Sequence, residues 1–327
     1  MRAIVQHRYG SVDDLELREI DRPPMADGEV LVRVHAASVH PDVWHVVTGY
    51  PRVLRVMGGG LRRPKQPVPG TDMAGVVESA GVRFKPGDEV FGETVKGHTW
   101  RNGGAYAEYV SVPEALLAPK PAGLTFEQAA AVPTAGMTAL QGIRDRGAVA
   151  AGERVLVNGA GGGVGSFAVQ IAKALGAHVT AVTSGKNVEM LRSIGADEMV
   201  DYTRDDFTRG AARYDLILDV GGNARLSAMR RVLTPKGRIV MVAPQPGQWI
   251  GPIARIAGAV ITSRLGSRPA GAFLADVSRD DLLTLKELIE DGKVRPVIDR
   301  TYRFEQIPDG IRYMESGAAA GKVVVTV

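Results

Sequence analysis

The 327-residue sequence predicts an α/β fold in two parts, a β-rich, barrel-like module followed by a doubly wound parallel sheet. Two observations carry this. Residues 1 to about 122 are dense in runs that alternate apolar and polar side chains between turn residues, with no long helical period. From about Leu124 onward, short β-branched runs alternate with segments of helical period, the pattern of repeated βα units.

In the first module, Glu29 to Ala36 (EVLVRVHA) and Met73 to Ser79 have the two-residue period of half-buried strands. Gly28, Gly70, Pro86-Gly87-Asp88 and Pro113 punctuate them as turns. Pro51 to Gly70 breaks this alternation, with Arg52, Arg55, Arg62, Arg63 and Lys65 standing between apolar residues. Such a segment predicts a short amphipathic helix and then a basic loop, either a surface excursion or a flap over the mouth of a site.

In the second part, Thr125 with Gln128 three residues on predicts a capped helix start. Pro133 is expected to interrupt that helix and Thr138 to Arg144 to continue it as a second one. Arg154 to Val157 is a β-branched and leucine run, followed by Gly159, Gly161, Gly162, Gly163 and Gly165. From Val164 the period becomes helical through Phe167, Val169, Ile171, Ala172 and Leu175, and Gly176 supplies a stop. Further strands are expected at Val179 to Val182, Glu198 to Asp201, Tyr214 to Val220 and Gly237 to Val242, with helices at Val188 to Ile194 and Ala224 to Leu233. A helix from Asp280 to Glu290 leads to a closing strand, Lys322 to Val327, which is expected to return to the first module.

A strand, a glycine turn and a helix make an anion-binding device, because backbone N–H groups at a helix start are unpaired and glycines let a pyrophosphate come close. Gly159-x-x-Gly162-x-x-Gly165 has the small-residue spacing of a dinucleotide site, with Gly162, Gly163 and Val164 at the bend. In such sites an acidic residue at the end of the second strand holds the ribose 2′-hydroxyl of NAD. Here that strand ends Thr183-Ser184-Gly185-Lys186-Asn187, with no carboxylate. A hydroxyl at Ser184 and an ammonium at Lys186 suit a 2′-phosphate, so NADPH is expected over NADH. The plainer reading is a helix start at Ser184 with an exposed lysine. Val242 and Ala243, followed by Pro244, end the fifth strand at the carboxyl edge where ligands of such sheets bind, and their backbone suits a carboxamide.

Composition removes several classes. Apolar residues make up 45% of the chain without a run long enough for a membrane helix, so no membrane partner is expected. The start, MRAIVQHRYG, lacks the apolar core of a secretory signal, which makes a cytoplasmic location the expectation. The absence of cysteine excludes disulfides, thiolate zinc ligands and a cysteine nucleophile. A net charge of +4, with basic and acidic residues interspersed, reads as a solvated surface and not a nucleic-acid footprint.

Taken in order, Gly28-Glu29-Val30-Leu31-Val32, Pro69-Gly70-Thr71-Asp72-Met73-Ala74-Gly75, Pro86-Gly87-Asp88-Glu89-Val90, Gly104-Ala105-Tyr106-Ala107-Glu108-Tyr109, the glycine turn and Gly321-Lys322-Val323-Val324 span nearly the whole chain. This set resembles the medium-chain dehydrogenase/reductase superfamily, in its zinc-free quinone oxidoreductase-like branch. The resemblance implies a GroES-like catalytic domain, residues 1–122 and 277–327, interrupted by a Rossmann domain, residues 123–276. It also implies a homodimer paired near Gly271 to Ala275. Where the alcohol-dehydrogenase branch has Gly-His-Glu, this chain has Gly70-Thr71-Asp72, and its ligand cysteine falls near Ser38. Asp72, His40 and His45 remain as an alternative metal set, but no zinc is expected. Without a Lewis acid, hydride delivery to a quinone or an α,β-unsaturated carbonyl is the better fit, because the product anion is delocalised.

The resemblance also places individual residues. Thr138 lies beside the nicotinamide or its ribose, Tyr202 near the 2′-phosphate or adenine, and Phe273 and Leu274 against the cofactor from the dimer-side strand. Lys322 matches a lysine near the cofactor, with an external ion pair as the alternative; an arginine that some relatives use for the phosphate falls near Gly317. In Ser38-Val39-His40-Pro41-Asp42-Val43-Trp44-His45 many relatives have asparagine at the place of His40, and some a tyrosine near His45. A histidine can hydrogen-bond a developing enolate and deliver a proton near neutral pH, so His40 and His45 are the expected proton handlers and Tyr50 a second donor. The plainer readings are that His40 caps a turn and His45 lies on a helix surface. The rival functions are an NADP-dependent alcohol dehydrogenase or carbonyl reductase, and a sensor or scaffold that binds NADPH without turnover.

Overall fold

The computed structural model describes residues 1–50, 52, 55, 60–95, 102–242 and 269–327. The chain forms two compact units: Met1–Met137 with Asp276–Asp291 and Pro296–Val327, and Thr138–Ala275 with Gly292–Arg295.

In the first unit β1 (Arg2–Val5) and β2 (Glu16–Glu19) form an antiparallel pair. The larger sheet is built on β3 (Glu29–Val39), an 11-residue strand. One edge of β3 pairs antiparallel with β4 (Asp72–Val77), which pairs in turn with β5 (Glu89–Glu93). The other edge is shared. Its first half pairs with β6 (Tyr109–Pro113), and its second half with the last strand of the chain, Lys322–Thr326, in the register Val323↔Val39 to Thr326↔Ala36. A further strand, β7 (Leu117–Pro119), extends the β5 edge. The predicted return of the closing strand is therefore present. Alternate β3 residues Val30, Val32 and Val34 are buried against Met73, Tyr106 and Val323 in one core.

β3 runs three residues past its predicted end, so it delivers Ser38 to the interior and His40 to the start of α1 (Pro41–Thr48). Pro41 fits the first helical position, where no backbone N–H is needed, and Gly49 closes the helix in the left-handed conformation (φ 62°). The helix expected within Pro51 to Gly70 lies partly outside the described residues.

α2 (Phe126–Ala130) carries the predicted capping box, Thr125 with Gln128. The helical run does break ahead of Pro133, at Ala131–Val132, but the second helix, α3 (Pro133–Leu140), opens on the proline itself, five residues before the predicted Thr138. A proline disrupts a helix only where its missing N–H and ring meet a preceding turn, and as the first helical residue it meets none. The predicted helix over Thr138 to Arg144 is thus the end of α3 and a wider-pitched turn, Gln141–Arg146.

The second unit alternates β8 (Arg154–Asn158), α4 (Gly163–Ala174), β9 (His178–Thr183), α5 (Val188–Ser193), β10 (Glu198–Asp201), β11 (Tyr214–Asp219), α6 (Leu226–Arg231), β12 (Leu233–Met241) and β13 (Ala270–Ala272). All pairings are parallel, in the order β10-β9-β8-β11-β12-β13. Central β8 and β11 have Val155, Leu156, Val157, Leu216, Ile217 and Leu218 fully buried, as strands covered on both faces require. The strand order reverses between β8 and β11, and their carboxyl ends open the crevice where such sheets bind ligands.

Candidate active site

The turn between β8 and α4 divides three tasks among its glycines. Gly159 sits at φ 84°, which makes the bend. At Gly162, the residue capping α4, an added Cβ would meet only Gly159 O at 3.7 Å, so this side of the turn is open. At Gly165 a Cβ would lie 2.2 Å from Gly159 O, so the helix can pack on the strand turn only with hydrogen there. No side chain caps α4, and the N–H groups of Gly163, Val164 and Gly165 begin a 12-residue helix without intrahelical partners. Positive dipole, open face and free donors together suit a pyrophosphate.

Pairing of β9 with β10 sets Asp201 opposite Thr183, which gathers the predicted phosphate group of residues. Tyr202 N–H donates to Thr183 O at 3.0 Å, and its ring is 54% exposed. Ser184 is half-buried and Lys186 exposed beside it. The sequence pattern does not disclose Asp201, whose Oδ2 would stand 2.8 Å from a Cβ at Gly185. Its carboxylate is held below the usual range by the Thr203 hydroxyl and N–H. Arg204 lies 3.9 Å from Asp201 and is exposed, a second cation on this rim. Asp201 ends the neighbouring strand, so only the register reveals it.

At the carboxyl edge, Asn158 Nδ2 donates to Asp219 Oδ1 at 2.7 Å, and Gly222 N–H donates to the same oxygen at 2.9 Å. Val242 N–H is tied to Asp219 O at 3.1 Å, while Ala243 and Pro244 lie outside the described residues. Thr138 is buried in α3. Phe273 N–H donates to Met241 O, and its ring packs on Gly142 and under the Arg146 guanidinium, 5.8 Å from the centroid. That is packing within the second unit. Leu274 beside it is 41% exposed.

The first unit holds a buried charge cluster centred on Asp72, which is 0% exposed. Its Oδ1 accepts from the Thr134 hydroxyl at 2.5 Å and from the Thr134 N–H at 3.3 Å. Thr134 lies in the first turn of α3, so the carboxylate satisfies a leftover N–H and sits at the positive end of the helix. Its Oδ2 accepts from the Ser38 hydroxyl at 2.8 Å and faces Lys322 Nζ at 3.6 Å. Glu93 Oε1 lies 3.1 Å from the Thr134 hydroxyl oxygen. The Thr134 hydroxyl is thus within donating distance of both carboxylates, which compete for its one proton. Burial, then the Asp72 charge, pushes the Glu93 carboxyl well above its usual range.

Lys322 lies neither in an external pair nor at the surface. It is 3% exposed and turned inward to Asp72; burial lowers its pKa and Asp72 opposes the shift.

His40 is 6% exposed. It occupies the residue before α1, yet its side chain caps nothing. Nε2 is 2.9 Å from Thr71 Oγ1, whereas Nδ1 is buried with no hydrogen-bond partner among the described residues, 3.7 Å from Asp42 Oδ2. Burial holds the imidazole below its ordinary pKa, so it is neutral near pH 7. Thr71 is presented by Gly70, at φ 84°, whose missing side chain is replaced by the Tyr106 ring, 2.5 Å from where a Cβ would be. Tyr106 in turn donates its hydroxyl to Ser38 O at 3.1 Å. His45 Nδ1 donates to Tyr50 O at 2.7 Å, and Trp44 meets both rings edge-on.

The alternative metal set is therefore not assembled: His40 and His45 have separate partners and Asp72 holds an ammonium. Among the described residues no group of three His, Asp or Glu is placed to hold a metal ion.

Two family models match, an alcohol dehydrogenase GroES-like domain over residues 26–122 and a zinc-binding dehydrogenase over 194–325. The chain is 34% identical to 2-methylene-furan-3-one reductase of Solanum lycopersicum, over 99% of this chain and 79% of that protein. It belongs to the medium-chain dehydrogenase/reductase superfamily, in its quinone oxidoreductase-like branch. NADPH-dependent alkenal/one oxidoreductase of Arabidopsis thaliana, a chloroplastic protein, is 34% identical over the same shares. Among solved structures, the quinone oxidoreductase of Coxiella burnetii matches with a TM-score of 0.86 at 28% identity, covering 100% of this chain and 99% of that one. Like these dehydrogenase/reductase relatives, the protein is an oxidoreductase.

Proposed function

We propose that the protein is a zinc-independent, NADPH-dependent reductase of quinones or α,β-unsaturated carbonyl compounds. The observation that carries this is His40, a neutral, buried imidazole with one nitrogen held by Thr71 and the other without a hydrogen bond among the described residues, 3.7 Å from the Asp42 carboxylate. A buried donor without a partner is costly unless a ligand completes it. With Nε2 accepting from the Thr71 hydroxyl, Nδ1 carries the proton and donates to the acceptor oxygen as that oxygen takes up negative charge; as Nδ1 releases its proton, Nε2 takes up the Thr71 hydroxyl proton, which solvent replaces, so the ring stays neutral.

Bound NADPH supplies the hydride. The N–H groups of Gly163 and Val164, just past the Gly162 cap, hold its pyrophosphate, Ser184, Lys186 and Tyr202 its 2′-phosphate and adenine, and Thr138, Val242 and Ala243 its nicotinamide end. His45 keeps Tyr50 in place, and the Tyr50 hydroxyl is a second donor. Zinc does not fit: a catalytic ion needs three protein ligands, the chain has no cysteine, and Asp72 is saturated by Ser38, Thr134 and Lys322. In this reading residues 1–122 and 277–327 form the catalytic domain and 123–276 the coenzyme domain. The protein is a cytoplasmic homodimer paired near Gly271 to Ala275, without a membrane or nucleic-acid partner. Among the described residues no helix is long and apolar enough to cross a membrane.

The test is a panel of quinones, enones and simple ketones with chelator-treated protein, followed by NADPH absorbance. Consumption with quinones or enones is expected; consumption only after zinc is added back would contradict the proposal.

A further inference from the structure

The first unit has a second concave feature that hydride transfer does not use. Leu61 to Pro67 walls an open cavity of about 720 Å³, lined also by Gln6 and His7. Arg62, Arg63 and Lys65 are exposed along this wall, and none of its described lining residues is a carboxylate. Their side chains make no ion pair or hydrogen bond to any described residue. Elsewhere many arginines have a carboxylate within reach, as Arg2, Arg8, Arg192 and Arg238 do. Three uncompensated cations within the four residues from Arg62 to Lys65 are therefore a local departure from how this chain arranges its charge.

The wall is fixed in place. Gln6 N–H donates to Pro67 O at 2.7 Å, and Asn102 Nδ2 donates to Gln66 O at 2.7 Å and to Gln6 Oε1 at 3.1 Å. Pro64 and Val68 are buried beneath the basic residues. Gln6 Nε2 also donates to Val47 O at 2.5 Å, which ties the wall to the last turn of α1. His40 stands at the other end of that helix, whose eight residues span about 12 Å.

We propose that this cavity binds the phosphate end of the acceptor. Guanidinium groups bind phosphate oxygens in pairs, and Leu61, Pro64 and Pro67 offer apolar contact for an arm. The reducible carbonyl would then sit on an arm on the order of 10 Å or more from the phosphate, set by the length of α1. The substrate class is thus an enone borne on a phosphorylated carrier, in preference to a free short enone. This rests on the enone-reductase reading above.

The experiment compares wild type with the Arg62→Ala/Arg63→Ala/Lys65→Ala variant, after thermal unfolding has shown both to be folded. Turnover is measured with crotonyl-coenzyme A and with pent-3-en-2-one. The ratio of their kcat/KM values is expected to favour the phosphorylated acceptor in wild type and to fall about tenfold in the variant, through KM. Inorganic pyrophosphate, titrated with NADPH already saturating, is expected to bind wild type and not the variant. An unchanged ratio, or pyrophosphate binding that survives the three substitutions, would overturn the proposal. If neither acceptor is turned over, the reductase reading fails, and the pyrophosphate titration alone decides whether the cavity is an anion site. A charge-reversed Arg62→Glu/Arg63→Glu variant that still bound pyrophosphate would count against the site as well.

Discussion

At His40 the two ring nitrogens have unlike surroundings, and the proposed chemistry follows from that difference. His40→Ala should lower kcat for enone reduction about 10²-fold or more, the usual contribution of a positioned acid, while leaving the Kd for NADPH unchanged. His40→Asn, which keeps a donor but cannot pass on a proton, should retain more activity than His40→Ala. Equal rates in all three proteins would show that solvent protonates the product. Asp72 and Lys322 make the second residue-level prediction. Removing one member of a buried pair strands the other charge, so Asp72→Asn should destabilise by about 3–5 kcal/mol in urea unfolding. The double variant Asp72→Asn/Lys322→Met should recover much of that loss. Additive losses would mean the two groups are not coupled. None of this cluster is legible in the sequence. Ser38, Asp72, Glu93, Thr134 and Lys322 are brought together by strand pairing and one helix start, and Lys322 reads as a lysine near the cofactor or in an external ion pair until Asp72 is known to lie behind it.

The elements are more legible, because period and punctuation are local. The glycine turn shows why: its spacing marks Gly165 as the packing residue, and a Cβ there meets backbone, which cannot yield as a side chain would. Gly165→Ala should abolish NADPH binding and lower Tm. On the adjoining rim, Lys186→Ala should cut kcat/KM for NADPH about tenfold and leave that for NADH nearly unchanged; a wild type that prefers NADH would assign the rim to Asp201 instead. Pro133 marks the break but not the start of the next helix, because the sequence does not say that the proline fills the first helical position. An acid-stability prediction belongs to the turn at Val82 to Phe84. Burial pushes Glu114 up, but the N–H groups of Arg83, Phe84 and Val82 outweigh it and hold the carboxylate below its ordinary range. A depressed carboxylate stabilises the fold above its unfolded pKa and loses that contribution as pH falls through the folded value. Glu114→Gln should therefore be less stable than wild type at pH 7, with the gap closing as the pH is lowered below the usual glutamate range. A gap that stayed constant down to about pH 3 would contradict this.

For the whole molecule, the chain's last strand closes the sheet of its first unit, so the first unit is incomplete until residues after Asp276 have been made. Truncation before Lys322 should accordingly yield insoluble or unfolded protein, since it removes both the partner of β3 and the counter-charge of Asp72. The most direct test of the account uses metal-free protein, NADPH deuterated at C4 of the nicotinamide and an enone, with the product examined by NMR. Deuterium is expected at the β-carbon of a saturated ketone. Deuterium on the carbonyl carbon, with the double bond retained and an alcohol formed, would contradict it.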